Sequence, residues 1–328
     1  MSAGWRGCVA IALLVAAAGA APAAEPRPAS RVYREVGGQA LRAYLFYPPD
    51  PRARERTPAI LLFHGGGWSA GSAEWTFASA ERFAARGLVA IAVDYRLSQG
   101  EVTPIEALSD ACAAIRWVRR NASELGVDPE RIAADGVSAG GQLAAMAACG
   151  GCPAEDGADG TSPSPNALLL WSPALDLGAD GWFRRLLRGR GTPAAYSPAE
   201  HVSGTTPPTS IVIGELDTLT PLAGSKKYCE RLNALGGRCE LNVYPGVGHL
   251  LTRNLERQEA DFDPHPEYRA DGIARQLRFL EELGFIAGAP SPAGQGGSEP
   301  SRSHTAPGHS PLPPELQVDT GQSMRASL

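Results

Sequence analysis

Runs of lysine and arginine are missing from this 328-residue chain, and its formal charge is only −5. Without a basic block there is no electrostatic footprint for a nucleic acid, so no nucleic-acid partner is expected. No internal repeat is present. No second cysteine pair stands at zinc-ligand spacing beside Cys149 and Cys152, which argues against a structural zinc site. The apolar stretch from Cys8 to about Ala20 falls short of the ~20 residues of a membrane-spanning helix. Aromatic residues are absent from about Ala287 onward, where Gly, Pro and Ser dominate. Such a segment cannot bury enough surface to offset its ordering entropy, so residues 287–328 are expected to be a disordered tail.

What is present at the other end reads as a secretory signal peptide. "MSAGWRGCVAIALLVAAAGAAPAAEP" joins one basic residue, a short apolar core and small residues near Ala23 and Ala24. Residues 1–24 are assigned to it, and the mature chain is expected to be secreted or periplasmic, without stable membrane insertion. Cys8 lacks the preceding residues of a lipidated cysteine. Export places the remaining cysteines in an oxidising compartment. A bridge between Cys229, on a helical run, and Cys239, at the start of the next strand, is expected. The "CGGC" of Cys149 and Cys152 can be redox-active, metal-binding or a small disulfide. Its place at a helix end disfavours a thiolate, so a structural bridge is favoured. Cys112 lies on an apolar stripe with Ile105, Leu108 and Ile115 and is expected to be a buried thiol.

Between these ends, residues 31–286 alternate strand and helix signals. "RVYREV" and "LRAYLFYPP" read as an antiparallel opening pair. The runs "AILLFHG", "LVAIAVDY", "RIAADGV", "ALLLWSP", "TSIVIGE" and "CELNVYPG" come next, separated by helix-period segments. The clearest helix is "PIEALSDACAAIRWVRRNASELG", with Pro104 in its first turn. Others are expected over about 73–86, 139–148, 221–235 and 266–283. This alternation predicts an α/β fold: a mainly parallel eight-stranded sheet with helices on both faces. Ligands of such sheets bind beyond the carboxyl ends of the strands, so the residues just past each strand matter most.

Four strand ends carry residues suited to chemistry. After "RIAADGV" comes G-x-S-x-G, as Gly136, Ser138 and Gly140. A serine on a sharp strand-to-helix turn projects its hydroxyl above the sheet, and small residues on either side let the turn close. Taken alone, Ser138 has a helix N-cap as its lesser alternative reading. After "TSIVIGE", Asp217 sits in a strand-to-helix loop. Glu215 is a rival at the strand terminus, where its reach is smaller. After "CELNVYPG", His249 follows a glycine-rich turn that frees it to swing over the sheet, whereas His64, His201 and His265 fit that position less well. Serine, aspartate and histidine in this order, each past a strand of one sheet, form the triad order of α/β-hydrolases.

The fourth strand end is "HGGGW". Three consecutive glycines cost backbone entropy and add nothing to packing. Beside the serine turn they let backbone N–H groups approach a developing oxyanion, where each fixed donor is worth ~3–4 kcal/mol. Gly66, Gly67 and Ala139 are the expected donors. Gly65 is expected to shape the turn, and His64 to buttress the loop.

Together "HGGGW", "VDYRLS", "GVSAGGQLAA", "GELDTLTP" and "YPGVGH" resemble the α/β-hydrolase esterases of the hormone-sensitive-lipase type. They are more similar still to the bacterial feruloyl and acetyl esterase-like branch, called BD-FAE-like. The resemblance runs from about Val32 to Leu283. It implies Ser138 as nucleophile, His249 as general base, Asp217 as its orienting carboxylate and Gly66, Gly67 and Ala139 as oxyanion hole, with no cofactor and no metal. It implies short acyl or feruloyl-type esters, small or linked to plant polysaccharide, as substrates. Val137 departs from the acidic residue that precedes the nucleophile in the lipase-type group. Asp135, in the strand leading to the turn, is an unusual polar choice that the resemblance does not explain. The segment from about 176 to 208 is long enough to lean over the site. Trp182, Phe183, Leu186 and Leu187 are read first as packing. Arg184, Arg185, Arg188 and Arg190 are read as solvated, with selection of acidic sugars or ferulate-like acids as the alternative. A peptidase or amidase of the same fold, and a secreted binding protein that has lost catalysis, are the rival readings.

Overall fold

The computed structural model describes residues 28–50, 56–153, 159–260 and 262–288. The expected signal peptide, and all of the expected tail but Ala287 and Gly288, lie outside them.

The chain opens with strands β1 (Ala29–Val36) and β2 (Gln39–Phe46), paired antiparallel. Gly37 and Gly38 join them, both at positive φ, as a two-residue hairpin turn requires. The apolar runs then form β3 (Thr57–Phe63), β4 (Val89–Val93), β5 (Val127–Val137), β6 (Ala167–Trp171), β7 (Thr209–Gly214) and β8 (Cys239–Tyr244). The sheet order is β1-β2-β4-β3-β5-β6-β7-β8, and every pair from β4 to β8 is parallel. Strand β2 meets β4 antiparallel. The expected eight-stranded sheet is therefore present.

The helices are α1 (Phe77–Ala85), α2 (Pro104–Arg120), α3 (Ala122–Leu125), α4 (Ala139–Ala148), α5 (Gly181–Leu187), α6 (Pro198–His201), α7 (Leu222–Ala234) and α8 (Pro266–Glu282). Strand alternation divides the core between them. Leu61 and Phe63 of β3 pack with Leu143 of α4 and Ile115 of α2, whereas Ile60 and Leu62 pack with Phe83 of α1 and Phe279 of α8. Thr103 caps α2 in a reciprocal capping box with Glu106, and Pro104 occupies the first turn. The long helix expected to reach Gly126 is interrupted at Asn121, whose side chain donates to the Trp117 carbonyl at 2.8 Å. The loop after β4 is held to α2 by a buried fork: Arg96 Nε and Nη2 donate to the two Asp110 oxygens at 2.7 and 2.9 Å.

The cysteine pairing differs in part from expectation. Cys229 and Cys239 are bridged, fastening α7 to β8. Cys152 does not pair with Cys149; it pairs with Cys112, with Cα atoms 5.9 Å apart, and Cys149 is the free thiol among the described residues. The reason is tertiary. Gly150, at φ 81°, turns the chain back at the end of α4 and brings Cys152 to the flank of α2. Cys149 instead faces Thr206, its sulfur 3.7 Å from Oγ1.

The bridge encloses a loop with sequence separation 40. On loop entropy it stabilises the fold by up to about 4 kcal/mol. Peptide mapping without reduction is expected to recover Cys112 joined to Cys152 and Cys149 alkylated only after denaturation. Cys112→Ser is expected to lower the urea midpoint markedly.

Candidate active site

Strand β5 ends where Ser138 takes φ 53° and ψ −115°, a conformation that costs a non-glycine residue energy and that the surroundings must hold. They do so from both sides. The Ser138 N–H donates to the Trp171 carbonyl at 2.9 Å, and the Ser138 carbonyl accepts from Ala174 N–H at 3.3 Å. The flanking glycines are steric necessities. A Cβ on Gly140 would stand 2.1 Å from the Phe63 carbonyl oxygen, and one on Gly136 would stand 2.6 Å from that of Gly140. The start of α4 thus lies directly on the end of β3. Ser138 is half-buried and open to approach.

The same contact draws the glycine loop beside the serine. A Cβ on Gly65 would lie 3.5 Å from that of Ser138. Gly65, expected to shape the turn, does not adopt positive φ; Gly66 and Gly67 do, at 108° and 57°. The turn therefore belongs to Gly66 and Gly67, and Gly65 lies at ordinary contact distance from the Ser138 side chain. The N–H groups of Gly66 and Gly67 donate to no acceptor among the described residues. That of Ala139, first residue of α4, has no intrahelical partner by position. His64 is buried, stacked on Tyr95 at 4.1 Å, with Nδ1 2.7 Å from the Gly65 carbonyl. Burial lowers its pKa, which keeps the ring neutral and structural.

Past β7, Asp217 is buried within a ring of donors. Its Oδ1 accepts from the N–H groups of Leu219 and Thr220 at 3.0 and 2.9 Å, and Thr220 Oγ1 lies 2.9 Å from Oδ2. His249 Nδ1 is 2.9 Å from Asp217 Oδ2 and 3.1 Å from Oδ1. Glu215, the rival, is exposed and accepts from Gly246 N–H at 3.3 Å. His249 is buried on a tight turn in which Leu250 and Leu251 both take positive φ. The Leu250 N–H donates to Ser172 Oγ at 3.0 Å. Ser138, Asp217 and His249 are thus anchored at the same end of β6, Trp171 and Ser172. The Ser138 hydroxyl makes no hydrogen bond to a described residue, His249 included.

Two supporting residues escaped the sequence reading. Thr220 stands between Asp217, the Ser172 carbonyl and His249 Nδ1, at 2.9, 3.0 and 3.2 Å. Buried Gln258 accepts from the N–H groups of His249 and Thr218 at 2.8 and 3.2 Å and donates to the Leu216 carbonyl. Thr220 had a faint signal, a hydroxyl three residues after the aspartate in "LDTLTP"; Gln258 had none. In the covering segment Phe183, Leu186 and Leu187 are buried as packing, while Trp182 donates from Nε1 to the Gly67 carbonyl at 3.1 Å. Arg190 pairs with Glu106 at 2.7 Å, and Arg184, Arg185 and Arg188 are exposed.

A sheet of this order, with a strained serine turn facing free amides and an aspartate–histidine pair, defines an α/β-hydrolase. Comparison with known proteins narrows the class. The BD-FAE family model matches residues 45–159. Carboxylesterase NlhH of Mycobacterium tuberculosis is 42% identical over 106 residues, which are 32% of this chain and 32% of NlhH. Esterase LipI of the same organism is 30% identical over 223 residues, 60% of this chain and 67% of LipI. The chain thus spans about a third of NlhH and two thirds of LipI. Among solved structures, Thermogutta terrifontis esterase 2 superposes with TM-score 0.70 at 34% identity, covering 82% of this chain and 99% of that one. The chain belongs to the α/β-hydrolase esterases.

Asp135, unexplained in the sequence, is buried on the face of β5 toward α1 and α8, and burial raises its pKa to about 7 against a weaker opposing pull from Arg82. In an unfolded chain an aspartate ionises near 3.9. Ionisation therefore costs the fold stability that is present at about pH 4 and lost as pH rises through 7. Asp135→Asn is expected to raise the melting temperature at pH 8, by up to about 4 kcal/mol of stability, and to change it little at pH 4.

Proposed function

We propose that this protein is a carboxylic-ester hydrolase that works through an acyl-enzyme on Ser138. The observation that carries this reading is the buried Asp217–His249 pair, at 2.9 Å, whose histidine turn is bonded to Ser172 next to the Trp171 carbonyl that holds the strained Ser138 turn. Asp217 fixes the imidazole with Nδ1 toward the carboxylate, which leaves Nε2 to act as base. His249 takes the Ser138 proton as the hydroxyl attacks the ester carbon, and returns a proton to the departing alcohol. Water then repeats the attack on the acyl-enzyme. The N–H groups of Gly66, Gly67 and Ala139 receive the oxyanion of each tetrahedral intermediate. Unliganded triads are often loose and tighten on substrate, which accommodates the unpaired Ser138 hydroxyl.

Short or feruloyl-type acyl groups, free or on plant polysaccharide, are the proposed substrates. Structures of the Thermogutta esterase with propionate and with butyrate bound, and phosphorylated by paraoxon, support short acids and an organophosphate-sensitive centre. We place the protein in the periplasm or outside the cell, on the leader-like residues 1–24 and two disulfides. Among the described residues no helix is long and apolar enough to cross a membrane.

A fluorophosphonate probe followed by peptide mapping is expected to label Ser138 alone, and Ser138→Ala to reduce ester hydrolysis by about 10⁶-fold. Labelling elsewhere, or retained turnover in that variant, overturns the assignment. Across nitrophenyl esters, acetyl and butyryl chains are expected to be cleaved far faster than dodecanoyl ones.

A further inference from the structure

On the side of the sheet that carries α1 and α8, a cavity of about 370 Å³ runs down from the serine turn. Its upper wall includes Val137 and Leu250, the chain neighbours of Ser138 and His249. Exposed aromatic rings flank it: Trp75, 6.2 Å from the His64 ring, and Phe262, 6.4 Å from the His249 ring. The cavity thus adjoins the serine and histidine turns through Val137 and Leu250, and any part it plays in substrate choice rests on the esterase reading of that centre.

Its polar lining is unusual. Asp135 lies two residues before Val137 on the same face of β5, about 10 Å along the strand from Ser138. From α1 comes Arg82, three residues after Ser79, which also lines the space. From α8 comes Arg269, with Gln276 two turns further on. Gln276 is engaged, donating to the Leu170 carbonyl at 3.3 Å. Asp135, Arg82 and Arg269 are not: no side-chain hydrogen bond or ion pair joins any of them to a described residue. Asp135 is only 7% exposed. Three helix and strand faces thus deliver two cations and one unpartnered carboxyl to one space, and the two guanidiniums lie close enough to repel. Guanidiniums without acceptors among the described residues, beside an aromatic-walled cavity, suit a planar anion.

We propose that this cavity is a specificity pocket for esters bearing a carboxylate on one arm, held by Arg82 and Arg269 and hydrogen-bonded to the Asp135 carboxyl. Half-esters of dicarboxylic acids are the simplest such substrates. Selection of acids therefore belongs to Arg82 and Arg269, not to the exposed arginines of α5. The charge of Asp135 tunes it. The charged groups that face Asp135 from the packed elements are Arg82 of α1 and Arg269 of α8; Ser79, Trp171 and Gln276 carry no charge. Asp135, with its pKa raised to about 7 by burial, is a neutral hydrogen-bond donor below that pH and an anion that opposes a carboxylate above it.

The test compares kcat/KM for the mono-nitrophenyl ester of glutaric acid with that for nitrophenyl pentanoate, and for carboxymethyl butyrate with that for propyl butyrate. These pairs put the charge on the acyl arm and on the alcohol arm. At pH 6 the charged ester of one pair is expected to be favoured at least about tenfold, the size of one charge-assisted hydrogen bond. The ratio is expected to fall severalfold by pH 8. Arg82→Ala should bring it near one, and Asp135→Asn should make it independent of pH. Ratios near one in both pairs at both pH values overturn the proposal while leaving the esterase reading intact. Calorimetric titration of the Ser138→Ala protein with monomethyl glutarate and with methyl pentanoate reads the same preference without turnover. Equal affinity for the two there also overturns it, and failure of all hydrolysis counts against the esterase reading alone.

Discussion

Helix α4 begins so close to the end of β3 that no side chain fits between them, and the candidate active centre is built around that contact. The space that a Cβ on Gly140 would need is occupied by the carbonyl oxygens of Phe63 and His64. Because the strand and helix touch there, the chain leaving β3 passes beside Ser138, with Gly65 within ordinary contact distance of the Ser138 side chain. The glycines of the loop answer to its own turn: Gly66 and Gly67 take positive φ, and a Cβ on Gly66 would stand 2.1 Å from the Ala70 carbonyl oxygen. The buried ring of His64, stacked on Tyr95, keeps the loop from collapsing into the space it borders. Unpartnered N–H groups remain beside the hydroxyl, a costly arrangement unless a ligand uses them.

The remaining parts are held by the end of β6. Trp171 receives the serine turn, while Ser172 steadies the histidine turn through its hydroxyl and Thr220 through its carbonyl. Asp217, His249, Thr220 and Gln258 form a buried polar cluster whose members satisfy one another. Such a cluster is stable only when complete, and for that reason it is also rigid. On the other side of β5 the logic is reversed: Asp135, Arg82 and Arg269 share a cavity yet leave one another unsatisfied.

Much of this was legible in the sequence, because parallel strands and their crossover helices leave a strong local signature. Apolar runs separated by helix-period segments announce the sheet, and the residues just past "AILLF", "RIAADGV", "TSIVIG" and "CELNVY" mark its active edge. The pairing of Asp217 with His249 was readable from order alone. What stayed hidden depends on approach in space. Cys152 chooses Cys112 over its near neighbour Cys149 because of how α2 lies along the end of α4, which no spacing rule expresses. Gln258 reaches His249 from an irregular loop without periodicity. Asp135 stood out as a misplaced polar residue, but its setting arises only when α1 and α8 cover β5.

The Cys112–Cys152 bond has a topological effect beyond its contribution to stability. The segment it closes contains all of β5, the Ser138 elbow and α4. Ser138, the proposed nucleophile, therefore sits inside a covalent ring, whereas Asp217 and His249 lie on the chain beyond it. The ring ties the Ser138 elbow covalently to α2, while on the histidine side the Cys229–Cys239 bond ties α7 to β8, so each side of the proposed site has its own cross-link.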